Sequence, residues 1–390
     1  MQLIALILCS LAVLGEVARD IFREGDFGGY IAAGKLAWEK TYIYSDFRNT
    51  WPPFFSIVSI PLYLANEWSF SGLRLLWLMG IVATHLYIFN WTITHFTQKP
   101  IFSFHEKKLT THLLEPLFIL SFLSTFRIFL EELSNLQINI FILGISVLIL
   151  KLLIEEKDLI AGLLLAIIIS IKVYPIILLG FLIIKKRYKA VLATLLGVLV
   201  SSLIVIGYFG IKQGGQFFLD WNTTQVIQGL KCEYMNQSLW GWMCGLLTNN
   251  TRMESIDYHI LALSDQSLKM ATLIVLAILG TYVLFQFYRS RPSQLSFVTQ
   301  YIITLSFIPI VSPVAWKYYF VFLTPLIILL IYQRLHTSGW FYIPVFLITL
   351  SSELFVGSYI SDVLETIGVI TFSSLTLSLL SIKQLLNQTQ

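Results

Sequence analysis

One acidic side chain stands out in a chain that carries few charges. Asp26 lies in the segment Gly-Asp-Phe-Gly-Gly-Tyr at positions 25–30. Glycines let the backbone approach a ligand closely, and rings such as that of Tyr30 can form the wall of a site. A carboxylate there can accept the proton of a hydroxyl nucleophile. The competing interpretation is a solvated acid in a turn. The nearby Asp20 can either assist Asp26 or pair with a neighbouring arginine.

Basic side chains at the ends of apolar segments are candidates for binding an anionic group. Lys172 separates two apolar runs and is followed by Tyr174. A cation in that position needs a partner, and a lipid phosphate is a natural one. The common alternative is that the long side chain snorkels to the membrane interface. The same two interpretations apply to Lys317, beside Trp316, and to Arg127 near the end of its apolar segment.

Two clusters of amides have the chemistry to bind sugar hydroxyls. Asn135, Gln137 and Asn139 stand at the entrance of an apolar segment, where they can bind a sugar or cap a helix. Asn236 and Gln237 precede two tryptophans, a combination that suits a sugar face or a lipid headgroup. For these tryptophans the alternative is an interfacial aromatic belt.

The three cysteines exclude a disulfide-rich scaffold and show no spacing typical of a metal site. Cys232 and Cys244 share one polar segment, twelve positions apart. In an oxidising compartment they can form a disulfide, or they can remain thiols. Cys9 lies in the first apolar segment, where we expect it to serve in packing. We therefore expect no metal and no resident cofactor.

The composition indicates that membrane-spanning helices position these side chains. Of 390 residues, 56% are apolar and 12% are charged, whereas a soluble protein usually has about 25% charged residues. The apolar stretches are continuous, which excludes the alternating strands of an outer-membrane barrel. Lys and Arg are dispersed and the net charge is +4, so no nucleic acid partner is expected. We predict an all-α polytopic membrane protein in which residues 1–390 form a single domain.

Apolar segments predict about twelve transmembrane helices. We interpret the first one as a retained span, because no basic residue precedes it. The segments 159–171 and 175–184 are too short to cross alone unless they are bent or packed inside the bundle. The predicted spans are 2–18, 73–96, 112–129, 138–154, 159–171, 175–184, 189–211, 269–288, 294–311, 318–333, 339–356 and 363–382.

Basic loops orient this bundle. With the N-terminus inside, the short basic loops all fall on the cytoplasmic side, as the positive-inside rule requires. These loops are 99–108, 155–158, 185–189, 289–292, 334–336 and the tail from Lys383. The long polar segments 19–72 and 212–268 then lie outside, where we expect the function. Within the first of them, 52–64 is too short to cross and predicts an amphipathic helix that is interfacial or re-entrant.

Six short motifs, taken in order, resemble glycosyltransferase family 87 over residues 20–325. They are Asp26-Phe-x-x-Tyr30-x-x-Ala33-Gly34 followed by Tyr44, Trp51-Pro52-Pro53-Phe54, Asn135-x-Gln137-x-Asn139, Lys172-x-Tyr174-Pro175, Asn236-Gln237-Ser238 and Ser312-Pro313-x-x-Trp316. Two positions depart from the family pattern. Trp51 replaces the usual tyrosine, and residues 317–319 replace histidines that commonly follow Trp316.

The resemblance implies a GT-C fold and an inverting glycosyltransferase. Such an enzyme takes a mannose-like hexose or an arabinose-like pentose from a polyprenyl-phosphate donor in the membrane. It transfers the sugar to a glycolipid or glycan acceptor on the periplasmic, extracytoplasmic side of the inner membrane. The position that matches the family's general base is Asp26. The substrate-binding candidates are Tyr30, Arg127, Asn135, Gln137, Lys172, Tyr174, Asn236, Gln237, Trp316 and Lys317.

Two other functions fit a polytopic chain of this kind. A lipid or sugar transporter, or a flippase, can bind a prenyl phosphate without forming a glycosidic bond. We find no convincing internal repeat of the sort that transporters show. A ligase of the same fold would move a whole oligosaccharide from a diphosphate lipid, and the two outer segments are short for that purpose.

Overall fold

The computed structural model describes residues 2–105, 108–229, 232–249 and 259–387, and these residues are mostly helical. The predicted cytoplasmic Lys107 and parts of the predicted outer segment 212–268 lie outside this description. Up to residue 229 the helices are α1 (Gln2–Asp20), α2 (Phe27–Trp38), α3 (Pro53–Val58), α4 (Ile60–Trp68), α5 (Phe70–Thr97), α6 (Pro116–Ser134), α7 (Asn139–Ile154), α8 (Asp158–Ile171), α9 (Ile177–Ile184), α10 (Tyr188–Phe209) and α11 (Ile211–Gly229).

The remaining described residues continue the helical pattern. They form α12 (Leu239–Leu247), α13 (Asp265–Arg289), α14 (Gln294–Ser306), α15 (Ile308–Val311), α16 (Thr324–Tyr332), α17 (Gly339–Leu350), α18 (Glu353–Thr366) and α19 (Val369–Asn387). Short 3-10 helices occur at Tyr174–Ile176, Lys317–Leu323 and Leu335–Thr337. An antiparallel hairpin joins Phe102–His105 to Lys108–Thr111 within and just after the predicted basic loop 99–108. The all-α class is therefore confirmed, apart from this small hairpin.

Among the described residues, five helical segments are long and apolar enough to cross a membrane. They are α1, α5, α10, α13 and the α14–α15 run Gln294–Val311. The bent pair α17–α18 would make a sixth. The other apolar helices are shorter, such as α7 and α8. The chain is thus a membrane protein, while the predicted total of twelve spans and the GT-C bundle remain predictions.

Local sequence explains where several helices break. Pro53 begins α3 and Pro61 lies in the first turn of α4, so the predicted amphipathic segment 52–64 forms two helices that meet at Ser59. The predicted junction 357–362 lies instead within α18, where Gly357 adopts φ 77° and kinks the helix.

The chain divides into two compact units. The first unit comprises residues 1–91 and 129–228, and the second comprises 92–128 and 229–390. The prediction of a single domain over 1–390 remains a prediction. Each unit brings together segments that are distant in the sequence.

Small residues allow α8 and α10 of the first unit to pack closely. A Cβ at Gly162 would lie 2.2 Å from the Ala190 carbonyl oxygen, and one at Gly197 would lie 2.5 Å from the Ala166 Cβ. Glycine at both positions lets the helix backbones approach, as is common in membrane helices. The Thr194 hydroxyl reinforces the contact by donating to the Gly162 carbonyl at 3.0 Å.

The second unit has its core around α14, α16 and the 3-10 helix Lys317–Leu323. Every residue of 320–331 is buried. Several polar groups in this core bond to one another. The Gln300 amide donates to the Ser290 hydroxyl at 2.6 Å, and the hydroxyls of Ser306 and Ser378 lie 2.8 Å apart.

Candidate active site

Asp26 lies immediately before α2 in the first unit. Gly25 precedes it with φ 52°, a left-handed conformation that favours glycine. A Cβ at Gly25 would lie 3.2 Å from the Leu136 Cδ1, so this loop lies directly against the turn between α6 and α7. The start of a helix also favours negative charge through its unpaired N–H groups. The fold therefore holds the carboxylate of Asp26 at a helix N-terminus, facing residues 135–139.

The turn at 135–139 fixes Asp26 through Gln137. The Gln137 Nε2 donates to the Asp26 Oδ2. The Tyr30 hydroxyl donates to the Gln137 Oε1 at 3.2 Å and accepts from the Ile138 N–H at 3.3 Å. Since Tyr30 engages the amide oxygen, the amide nitrogen of Gln137 must face the carboxylate. Gln137 is 2% exposed and Tyr30 is fully buried.

The same turn engages Lys172 through Asn139. Lys172 adopts an extended conformation where α8 ends, and the 3-10 helix Tyr174–Ile176 follows. Its Nζ donates to the Asn139 Oδ1 at 2.9 Å, and the Tyr174 hydroxyl donates to the same oxygen at 2.6 Å. Lys172 is 5% exposed. The predicted ligands Lys172 and Tyr174 therefore converge on one amide oxygen.

Glu132 lies on the last turn of α6 and bonds to the side-chain amide of Asn139. The Asn139 Nδ2 donates to the Glu132 Oε1 at 3.1 Å, and the Ile140 N–H donates to the Glu132 Oε2 at 3.1 Å. The side chain is fully buried. Sequence analysis did not select Glu132. The available signal was an acid near the end of an apolar helix, which requires a partner if it is buried.

Aromatic rings form the wall behind Asp26. The Tyr30 ring packs against Trp51 and Phe55, with centroid distances of 4.9 and 5.3 Å. Trp77 lies 4.7 Å from Phe27 and donates its Nε1–H to the Leu136 carbonyl at 3.0 Å. Trp51, the residue that departs from the family pattern, is partly exposed. These rings hold α2 against the turn between α6 and α7.

Arg48 lies beside the start of α2, a position that sequence analysis also missed. It pairs with Asp46 at 2.8 Å and with Glu24 at 3.5 Å. A Cβ at Gly28 would lie 3.1 Å from the Arg48 Nη1, so the guanidinium packs closely against this part of α2. The hydrogen bonds from Arg48 lower the pKa of Asp46 below its usual value. Arg48 therefore compensates two acidic side chains near the start of α2.

Asn236 and Gln237 belong to the second unit and contact backbone groups there. The Asn236 Nδ2 donates to the Pro313 carbonyl at 3.1 Å, and its Oδ1 accepts from the Ala315 N–H at 3.0 Å. The Gln237 Nε2 donates to the Glu365 carbonyl at 2.8 Å. Both side chains are buried. Their contacts order residues 313–315, just before Trp316.

Lys317 also lies in the second unit. It forms an ion pair with Glu365 and donates to the Ser351 carbonyl at 3.2 Å and to the Ser361 hydroxyl at 3.1 Å. A lysine ammonium has three donors, so each of them has an acceptor within this unit. The neighbouring Trp316 precedes the 3-10 helix Lys317–Leu323 and is partly exposed.

Three candidates remain to be placed. Asn135 donates to the Glu131 carbonyl at 2.9 Å and so caps the end of α6. Arg127 lies on α6, partly buried, within the second unit. Asp20 is fully buried and pairs with Arg19 at 2.8 Å and with the next arginine along the chain at 3.4 Å. The structure therefore pairs Asp20 with arginines, one of the two alternatives that the sequence left open.

The structure joins Cys232 and Cys244 in a disulfide and leaves Cys9 as a buried free thiol. Within the described ranges, no group of three or more His, Cys, Asp or Glu side chains is arranged to hold a metal ion. The bridge spans the segment that carries Asn236 and Gln237.

A family model named Glycosyltransferase family 87 matches residues 49–313, which is more than half of the chain. The chain belongs to glycosyltransferase family 87. This confirms the resemblance predicted from the short motifs. No curated protein and no solved structure matches the chain.

The matched region of this glycosyltransferase contains only part of the site. The turn 135–139, Lys172 and the pair Asn236–Gln237 lie within residues 49–313. Asp26 and Lys317 lie outside that range, on either side of it. The family match therefore identifies a membrane glycosyltransferase, while the link between Asp26 and the matched region comes from the hydrogen bond with Gln137.

Proposed function

We propose that the chain is an inverting glycosyltransferase that uses a polyprenyl-phosphate sugar, with Asp26 as its general base. The donor sugar is a mannose-like hexose or an arabinose-like pentose, and the acceptor is a glycolipid or glycan of the cell envelope. The reaction takes place on the periplasmic side of the inner membrane. One observation carries the proposal: the turn 135–139 binds Asp26 through Gln137 and Lys172 through Asn139.

Asp26 has surroundings that suit a base. An acceptor hydroxyl is a weak nucleophile, and a carboxylate within hydrogen-bond reach can take its proton as the new bond forms. The bond from Gln137 holds one carboxylate oxygen in a defined direction, and Tyr30 fixes the orientation of that amide. Attack on the face opposite the leaving group then inverts the anomeric centre.

Lys172 has surroundings that suit the leaving group. The departing polyprenyl phosphate is an anion, and a fixed ammonium stabilises the charge that develops on it. Asn139 and Tyr174 position the ammonium at the end of the apolar helix α8. In the proposed orientation this end lies at the level of the lipid headgroups. Apolar helices of the protein then accommodate the prenyl chain.

The proposal is tested by replacing Asp26 with asparagine in protein reconstituted into liposomes. The assay supplies tritiated mannosyl- and arabinosyl-phosphate polyprenols with lipids extracted from the native envelope, and it measures glycosidic product. Asp26→Asn nearly preserves volume but removes the base, so transfer should fall about 100-fold or more. The matched control is Glu39→Gln, because Glu39 caps the end of the helix that Asp26 precedes and lies exposed beside Lys35.

The control should transfer sugar at nearly the wild-type rate. Wild-type transfer by Asp26→Asn would contradict the assignment of the base. If the wild-type protein moves labelled lipid across the bilayer without forming glycosidic product, a transporter or flippase replaces the proposed transferase.

A further inference from the structure

We infer that Glu132 is a positioning residue that holds Lys172, through Asn139, in the orientation required to bind the donor phosphate. This inference rests on the proposed function, because it assigns Lys172 to the phosphate. Glu132 lies on α6, forty residues before Lys172 in the sequence, and the two side chains both bond to Asn139.

The hydrogen bonds of Glu132 define its role. Both carboxylate oxygens accept from N–H donors, one from the Asn139 side chain and one from the Ile140 backbone. Two N–H donors on two different oxygens are the partners that a carboxylate requires, since it only accepts. The backbone contact at Ile140 fixes the carboxylate relative to the first turn of α7. The remaining oxygen is thereby aimed at Asn139.

Glu132 selects one of the two orientations of the Asn139 amide. With Nδ2 bonded to Glu132, the Oδ1 must face Lys172 and Tyr174, as it does at 2.9 and 2.6 Å. The reverse orientation would place N–H groups against an ammonium, which has donors and no acceptor. The direction of the amide therefore determines whether Lys172 is attracted to this position or repelled from it.

The charges of Glu132 and Lys172 also indicate that Glu132 holds Lys172 in place. A buried ammonium is costly unless an anion compensates it. Glu132 is fully buried and Lys172 is 5% exposed, and the acidic groups that act on this pair also include Asp26 and Glu131. Glu132 is the acid that is joined to Lys172 through a single amide. It compensates the ammonium through the Asn139 amide, which bonds to both side chains.

The first variant that tests this inference is Glu132→Gln. The amide oxygen of the new side chain must still accept from Ile140, so its NH2 group would oppose the NH2 group of Asn139. Relief of that clash reverses Asn139 and weakens the position of Lys172. We expect the Kd for tritiated mannosyl-phosphate polyprenol to rise about tenfold or more. The envelope-lipid concentration that gives half of the maximal rate should stay within about twofold of the wild-type value.

The second variant exchanges the two groups, Glu132→Gln with Asn139→Asp. The glutamine introduced at position 132 then donates to the aspartate introduced at position 139. That aspartate accepts from Lys172 and Tyr174, and Ile140 still has its acceptor. Net charge and every hydrogen bond are retained with nearly the same atoms. The Kd of this double variant should return to within about threefold of wild type. If Glu132→Gln alone does not fold, the double variant is measured by itself, and loss of donor binding by the folded double variant overturns the inference.

A Lys172→Gln background separates positioning from general support of the fold. Glu132→Gln should cause no further loss of donor affinity in that background, because its effect passes through Lys172. If Glu132→Gln weakens donor binding as much in the Lys172→Gln background as in the wild type, the inference is overturned. An unchanged Kd in folded Glu132→Gln also overturns it. Failure of the proposed function looks different, since the wild-type protein would then form no product from the prenyl-phosphate donor.

Discussion

Lys172 and Lys317 have similar sequence surroundings but different partners in the structure. Each follows an apolar stretch and has aromatic neighbours, so the sequence offers both as phosphate ligands. Lys172 bonds to a neutral amide, with its compensating acid one side chain further away. Lys317 pairs directly with Glu365 and has two further acceptors in the second unit. We therefore expect Lys172 to act on the donor and Lys317 to stabilise the fold.

Charge removal at each lysine tests this difference. Lys172→Gln should raise the Kd for the mannosyl-phosphate donor about 10–100-fold, because it removes a charged partner of the phosphate. Lys317→Gln should leave that Kd within about threefold. It should instead lower the free energy of unfolding by about 3 kcal/mol, since Glu365 stays buried without its cation. Donor binding and thermal unfolding in detergent measure the two effects. The prediction is contradicted if Lys317→Gln weakens donor binding while Lys172→Gln changes only stability.

Residue types alone predicted part of the site. Asp26 and Lys172 were candidates because charges are rare in this chain, and Gln137 was one because amides cluster at the start of an apolar segment. The bond between Gln137 and Asp26 joins residues that are 111 positions apart, and no local pattern encodes such a contact. Glu132 was missed because an acid at the end of an apolar helix usually marks the membrane interface. Burial, which determines its role, is a property of the fold.

At the scale of elements, α2 must lie close to the junction of α3 and α4. A Cβ at Gly34 would lie 2.3 Å from the Ser59 carbonyl oxygen, and backbone cannot retreat as a side chain can. Tyr208 of α10 fixes the other end of α2 by donating to the Ala37 carbonyl at 3.2 Å. Since α2 carries Tyr30 and follows Asp26, its packing determines the position of the proposed base.

Gly34→Ala should therefore impair both stability and transfer. Overpacking of this kind costs about 1–3 kcal/mol, and the shift of α2 displaces Asp26 from Gln137. The matched control is Gly215→Ala on α11, where an added Cβ meets nothing within 4 Å. That control should change the unfolding free energy by less than about 1 kcal/mol. Unfolding and transfer rates are measured for both, and an unaffected Gly34→Ala variant would show that α2 can shift freely.

The elements were predictable to the extent that they depend on apolar length. Each predicted span contains a helix, because a long apolar run in a membrane must satisfy its own backbone. Breaks within such runs were harder to predict. The kink at Gly357 requires a positive φ at that residue, and the surrounding structure determines whether the glycine adopts it. Whether a short helix crosses the membrane or packs inside the bundle likewise depends on tertiary contacts.

For the molecule as a whole, the distribution of basic residues predicts the orientation. By the positive-inside rule, the short basic loops are predicted to lie on one side and the long segments 19–72 and 212–268 on the other. This rule needs no tertiary information, because it concerns translocation. The grouping of the chain into two compact units could not be predicted in the same way, since each unit combines distant segments.

Single cysteines can test this orientation. Phe47, 84% exposed in the first long segment, and Arg291, exposed in a predicted cytoplasmic loop, are suitable positions. In intact cells a membrane-impermeant maleimide should label Phe47→Cys, and it should label Arg291→Cys only after permeabilisation. The native thiols give a low background, because Cys9 is buried and the other two are bridged. Labelling in the reverse order would invert the topology and contradict a periplasmic site.

The bridge between Cys232 and Cys244 gives the biogenesis of this protein a temporal order. Disulfides form outside the reducing cytoplasm. In the orientation that the basic loops predict, the second long segment is exported before the two sulfurs join. Asn236 and Gln237 lie between those cysteines, and they hold residues that are synthesised well over seventy positions later. In this orientation, assembly of the second unit requires export of the segment, oxidation of its two thiols and synthesis of the later residues. The export machinery and the thiol oxidants of the cell are then needed to make the folded enzyme.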